Sequence, residues 1–223
     1  LTSGQSVEEA FETLPTVLNA AAAGGMDLGR SADAVTDIMA QFQLGVEDAT
    51  LVTEALSRSA SSSSANMEQQ AAAYANVGPV AAQYGLSVED TAAILAVFAE
   101  NGTKGAEAGT LLKSMLTSSG RAVEDATEAW DRLGTSLYDS QGNLRDLDTV
   151  LKEVNEAADG LSDQERNQIM QSIAGTYGLV GLNALMASDG FSSMRDSMRE
   201  QAAASEIAAK MMTSLRNTVN SLI

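Results

Sequence analysis

Apolar residues recur at helical spacing along almost the whole chain, interrupted by short polar turns. Ser6 and Glu9 form a capping box ahead of the stripe Phe11, Leu14, Val17, Leu18 and Ala21, with Pro15 kinking that helix or restarting it after Thr13. Gly24-Gly25 ends it, and Asp27 caps a second helix with the stripe Leu28, Ala32, Val35, Ile38, Met39 and Phe42. A third follows Leu44-Gly45-Val46-Glu47-Asp48 and carries Ala49, Val52, Ala55, Leu56 and Ala60. The serine run Ser59 to Ser64 reads either as a linker or as a helix end and loop. The second fits better, with Ser64 as the next cap. The fourth helix carries Met67, Ala71, Tyr74 and Val77 and meets Gly78-Pro79. There the missing N–H and the ring clash predict a bend or a break before Val80, Ala81, Tyr84 and Gly85.

The stretch Asn76 to Leu116 is the most strongly patterned. Ser87 and Asp90 are set as a capping box for a fifth helix, Val88 to Asn101, apolar on three sides and expected to be the most buried. Asn101-Gly102 ends it. Gly105, Ala106, Ala108 and Gly109 then predict that the sixth helix approaches the fifth closely, with Leu111, Leu112, Met115 and Leu116 as its core face. After Gly120 comes a helix with Ala129, Trp130 and Leu133, closed by Gly134. Leu137-Tyr138-Asp139-Ser140-Gln141-Gly142-Asn143-Leu144 predicts a small β-hairpin, with Asp139 and Gly142 as turn residues. A calcium loop there would need more oxygen ligands than the segment offers. Asp146 or Asp148 caps the next helix, and Ser162 with Glu165 boxes another, which Gly175 breaks. A glycine-bearing helix, Tyr177 to Met186, then leads to a long last one over 191–223. In it Ala204, Ala208, Met211, Leu215 and Leu222 follow a coiled-coil step, suited equally to self-association and to packing back on the core.

One motif recurs. Ala40 to Ala49, AQFQLGVEDA, aligns with Ala82 to Thr91, AQYGLSVEDT, at an offset of 42 residues, about one helix pair. The expected fold is therefore all-α: a multi-helix bundle or short α-solenoid of helix pairs, with one small hairpin near 136–146. We expect a helical core over 1–120, accessory helices plus hairpin over 121–190, and the long helix over 191–223.

Composition narrows the chemistry. The chain of 223 residues has no cysteine and no histidine. Disulfides, thiolate metal sites, cysteine nucleophiles and histidine bases are all excluded. Aromatics are 4% of the chain, so alanine-rich helices must pack through small side chains. A net charge of −17 repels phosphate backbones, so no direct nucleic-acid binding is expected. No apolar run approaches the ~20 residues that span a bilayer. No signal peptide is expected, and the Leu1 start together with the uncapped final helix suggests a fragment of a longer protein.

The order of these features resembles the core region of phage tail tape-measure proteins. The run from Val77-Gly78-Pro79-Val80-Ala81 through Gly85-Leu86-Ser87-Val88-Glu89-Asp90 to Asn101-Gly102-Thr103-Lys104-Gly105 is similar to that family. So is Leu133-Gly134 followed by Leu137 to Leu147, against a family pattern V-Y-D-x-x-G-N-[ML]-R-x-L. Gly160-Leu161-Ser162-Asp163-Gln164-Glu165-Arg166 matches G-L-S-D-E-E-R, and Ala21 to Leu28 with Phe42 to Ala49 extends the likeness to the N-terminal part. The stretch Ala174-Gly175-Thr176-Tyr177-Gly178 departs from it, standing where the family has a more basic, aromatic segment. The resemblance implies a virion protein packed inside the tail tube, in the host cytoplasm during assembly, whose length sets tube length and which leaves the tube at genome ejection. It implies partners among tail-tube, tail-tip and tail-assembly chaperone proteins and further copies of itself. It carries over no catalytic residue and no cofactor.

Two other readings compete. A helical-repeat scaffold unrelated to phage fits the 42-residue offset, but few aromatics besides Trp130 are available for a binding face. An enzyme would have to use Lys104 or Lys113 with Ser114, Ser118 or Ser119, and nothing signals the pocket needed to lower a lysine pKa. Glu8-Glu9 is explained by helix capping. Gly78, Pro79, Gly85, Ser87, Asp90, Gly102, Gly105, Asp139 and Gly142 are thus read as hinge and turn residues, not as a reactive site.

Overall fold

A computed structural model describes residues 26–120, 124–188 and 191–200. The stripe expected at Phe11 to Ala21 and the seam at Ala204 to Leu222 lie outside these residues. Among those described, the fold is all-α. The helices are α1 (Leu28–Gln41), α2 (Ala49–Ser61), α3 (Met67–Gln83), α4 (Val88–Glu100), α5 (Ala106–Ser119), α6 (Glu124–Leu133), α7 (Leu147–Ala158) and α8 (Asp163–Met186). A 3-10 turn, Val46–Asp48, precedes α2, and residues 191–200 are helical. The hairpin reduces to one antiparallel bridge, Tyr138 to Leu144.

Local chemistry sets most helix ends. Asp27, Ser87, Asp146 and Ser162 each accept a backbone N–H from the first turn of the helix they cap. Two expectations about caps are corrected. The cap of α3 is Asn66, boxed with Gln69, because the Ser64 hydroxyl donates instead to the Ala99 carbonyl at 2.7 Å. The box at Ser87 is only half formed, because the Asp90 carboxylate turns away to Arg199.

Of the bend or break expected at Gly78-Pro79, the break does not occur, and α3 runs on to Gln83. Gly78 has no Cβ for the proline ring to strike, and Val77 and Ala81 on either side are fully buried, so packing holds the helix across one lost hydrogen bond. At Gly175 the backbone does leave helical geometry, with φ 72° and ψ 165°, so α8 is two helices in series.

The core runs through α4, where every residue from Thr91 to Ala99 is buried. The most extensive helix pairings flank it: α5 against α8 and α3 against α5, followed by α2 against α4. The small residues at the start of α5 therefore serve a different neighbour from the one expected. Gly109 meets α3, not α4.

Candidate functional site

The features singled out by sequence do not converge on one pocket. They build joints and close helix contacts. The repeated motif is a single turn made twice. After α1, the Leu44 N–H reaches back to the Met39 carbonyl at 2.9 Å; after α3, the Leu86 N–H reaches the Ala81 carbonyl at 3.0 Å. Between them stands a left-handed residue, Gln43 at φ 56° and Gly85 at φ 83°. This is the six-to-one bond of a Schellman turn. Gly102 uses it again, with Thr103 N–H donating to the Phe98 carbonyl. After the turn the two copies cap differently. Ser87 accepts from the Asp90 N–H, whereas Gly45, lacking a side chain, donates its N–H to the Asp48 carboxylate.

Tyr74 ties the two joints together. Its ring meets Phe42, the C-cap of α1, edge to face at 6.1 Å, and its hydroxyl donates to the Val88 carbonyl at the start of α4. Complete burial, reinforced by the nearby charges of Glu89 and Asp90, pushes its phenol pKa well above the usual value.

Glycines bring α5 against both neighbours. A Cβ at Gly109 would overlap the Ala73 carbonyl oxygen of α3, and Asn76 of α3 donates to the Ala106 carbonyl at 2.9 Å. On the other side, a Cβ at Gly178 would stand 2.8 Å from Met115 Cα, and one at Gly181 would stand 2.8 Å from the Phe98 ring. Gly78 marks a further contact, where the Gln41 side chain of α1 lies against α3. Gly105 is left-handed, at φ 61°, and is the N-cap of α5.

The bridge segment closes on itself. The Asp139 carboxylate accepts the Gln141 and Asn143 N–H groups at 2.8 and 2.9 Å, with Gly142 left-handed at φ 84°. The Asn143 backbone bond, then those from Gln141 and Gly142, hold the carboxyl below its usual range despite slight desolvation. Behind the bridge, Arg145 donates to Glu153 at 2.7 Å and to Thr135 and the Ser136 carbonyl, fastening the segment to α7. Among the described residues, no group of three or more carboxylates is placed to hold a metal, and no helix is long and apolar enough to cross a membrane. Lys104 donates to the Ser64 carbonyl at 2.8 Å from an exposed position, so the geometry gives that lysine a structural bond.

Comparison with known proteins places these joints in a family. The sequence profile described as "Phage-related minor tail protein" matches residues 1–175, more than half of the chain. The chain belongs to this minor tail protein family. A "Tape measure protein" of Pneumococcus phage Dp-1 is 32% identical over 210 residues, covering 94% of this chain and 18% of that protein. A "Probable tape measure protein" of Escherichia phage P2 is 28% identical over 152 residues, covering 68% of this chain and 19% of that protein. The chain thus spans less than a fifth of the length of either relative. No solved structure matches it.

Among the described residues, those that carried the tail-protein resemblance form the joints and the bridge. Sequence reasoning missed the partners these joints use. Gln43 in a left-handed conformation was readable, since the repeat aligns it with Gly85. The Gly178 and Gly181 pair stood in view at a spacing of three on one helix face. Nothing in the sequence pointed Arg145 to Glu153 or Arg199 to Asp90.

Proposed function

We propose that this chain is a folded helical section of a phage or prophage tail tape-measure protein. It acts structurally inside the tail, where the whole protein sets tube length and departs at genome ejection. The carrying observation is the 32% identity to a tape-measure protein across 94% of the chain. The joints support the reading, because the motifs shared with the family form the turns between helices. The partners in this reading are the tail-tube, tail-tip and assembly-chaperone proteins and other copies of the chain, met in the host cytoplasm during assembly. A net charge of −17 suits a protein that shares a tube with DNA without adhering to it. The unrelated-scaffold reading is not favoured, since both relatives described above are phage proteins.

Removing codons 26–200 in frame from the full-length phage gene, then imaging particles, tests the reading. The expected result is tailless particles or tails of altered length. Infective particles with tails of unchanged length would overturn it. Shortening in proportion to the residues removed would make this section part of the ruler, and loss of tails would make it an assembly element.

A further inference from the structure

Residues 191–200 follow the bundle in sequence yet fold back across three of its helices. Phe191 and Met198 are 2% exposed and belong to the common core. Around them runs a polar seam. Arg195 donates to the Asp146 carboxylate at 2.8 Å, and Arg199 donates to both oxygens of Asp90 at 2.9 and 3.0 Å. The Ser192 hydroxyl donates to Asp148, and Arg58 of α2 donates to the Ser197 hydroxyl at 2.9 Å. The seam therefore touches the starts of α4 and α7 and the flank of α2. The charged groups along it are Arg58 from α2, Asp90 from α4, the N-cap Asp146, and Asp148 with its partner Lys152 from α7. They face Arg195, Asp196 and Arg199 of the segment.

We propose that residues 191–200 form a strap that docks on and leaves the bundle as one unit, with the ion pairs to Asp90 and Asp146 as its catch. Phe191 and Met198, with Met194 packed beside them, supply the apolar hold, and the catch adds to it. Each pair has one solvated partner: Arg199 keeps 48% of its side-chain surface exposed against 16% for Asp90, and Asp146 keeps 44% against 11% for Arg195. They are consequently open to screening by salt.

Acid should act in the same direction as salt. Partial burial pushes the Asp146 carboxyl up, but the Thr149 donors and the Arg195 charge outweigh it and hold the group below the usual carboxylate range. Burial likewise opposes, and the Lys152 and Ser192 donors outweigh it, at Asp148. Folded-state pKa values that are depressed contribute stability present above the unfolded pKa and lost as pH falls through the folded one. The Arg195 part of the Asp146 depression belongs to docking, so protonation below about pH 4 weakens the catch.

Hydrogen–deuterium exchange on the 223-residue chain tests this, comparing wild type with the double variant Asp90→Asn, Asp146→Asn. Asparagine keeps the N-cap at 146 while removing the charge. Amide exchange in 191–200 should rise about three- to tenfold, the range expected for two such pairs, while α4 and α5 stay protected. A second arm needs no variant: raising sodium chloride from about 0.05 to 1 M should speed exchange of wild type in the same segment alone. Unchanged exchange in 191–200 in both arms would overturn the strap. So would a rise spread evenly over the whole bundle, because the segment would then not move as a separate unit.

Discussion

Gly109 on α5 lies so close to Ala73 on α3 that a methyl group at 109 would overlap the Ala73 carbonyl oxygen. The obstruction is helix backbone, which cannot rotate aside. Asn76 Cβ would stand 2.9 Å away on the same side. Gly109→Ala should therefore cost stability, although alanine is the better helix former by up to about 1 kcal/mol. We expect a net loss of about 1–3 kcal/mol by urea denaturation, as for overpacked cores. Gly178→Ala, facing Met115 Cα at 2.8 Å, should behave alike. A stabilised Gly109→Ala would show that α3 and α5 are not in this contact.

The two copies of the repeated turn make a matched pair. Gln43 holds φ 56° with a side chain, whereas Gly85 holds φ 83° without one. Left-handed geometry costs an L-residue roughly 1 kcal/mol. Gln43→Gly should stabilise the chain by about 0.5–1 kcal/mol, and Gly85→Gln should destabilise it by a similar amount. Thermal unfolding of the two variants side by side checks the opposite signs.

Tyr74→Phe removes a buried donor to the Val88 carbonyl and should cost about 1–2 kcal/mol at neutral pH. The sign of its pH dependence follows from the raised phenol pKa. A group whose folded pKa lies above its unfolded value contributes fully below the unfolded pKa, about 10 for tyrosine, and loses that contribution as pH rises toward the folded value. The gap between wild type and Tyr74→Phe should therefore narrow in melts above about pH 10. A gap that stays constant to pH 11 would place the hydroxyl in solvent.

Asp139 organises its turn by accepting backbone N–H groups. Asp139→Ala should speed amide exchange at Gln141 and Asn143, the two N–H groups its carboxylate accepts, while leaving the α4 amides untouched. Asp139→Asn should keep most of the protection, because an amide oxygen accepts the same bonds. Adding millimolar calcium should leave the wild-type melting curve unmoved. A calcium-dependent rise in melting temperature would return the segment to a metal-binding reading.

Much of the fold was legible from local patterns. Asp27, Ser87, Asp146 and Ser162 cap helices because a short polar side chain satisfies N–H groups within one turn. Gly85, Gly102 and Gly142 take left-handed backbone because glycine meets no Cβ penalty there. The apolar stripe of α4 announced its burial. These interactions span a few residues, so neighbours in sequence suffice to specify them.

Other features needed the third dimension. Pro79 was expected to bend or break α3, yet Gly78 before it and the packed faces of Val77 and Ala81 carry the helix through unbroken. The small residues of α5 were expected against α4 and instead meet α3, since a run of small side chains fits any helix brought near it. Asp90 was expected to finish its own cap and instead holds Arg199, 109 residues away. The sequence by itself determined where helices begin, end and turn, because those energies are local. Only the tertiary structure decided which faces meet and which charges pair, because that choice depends on how several helices are arranged around α4 at once.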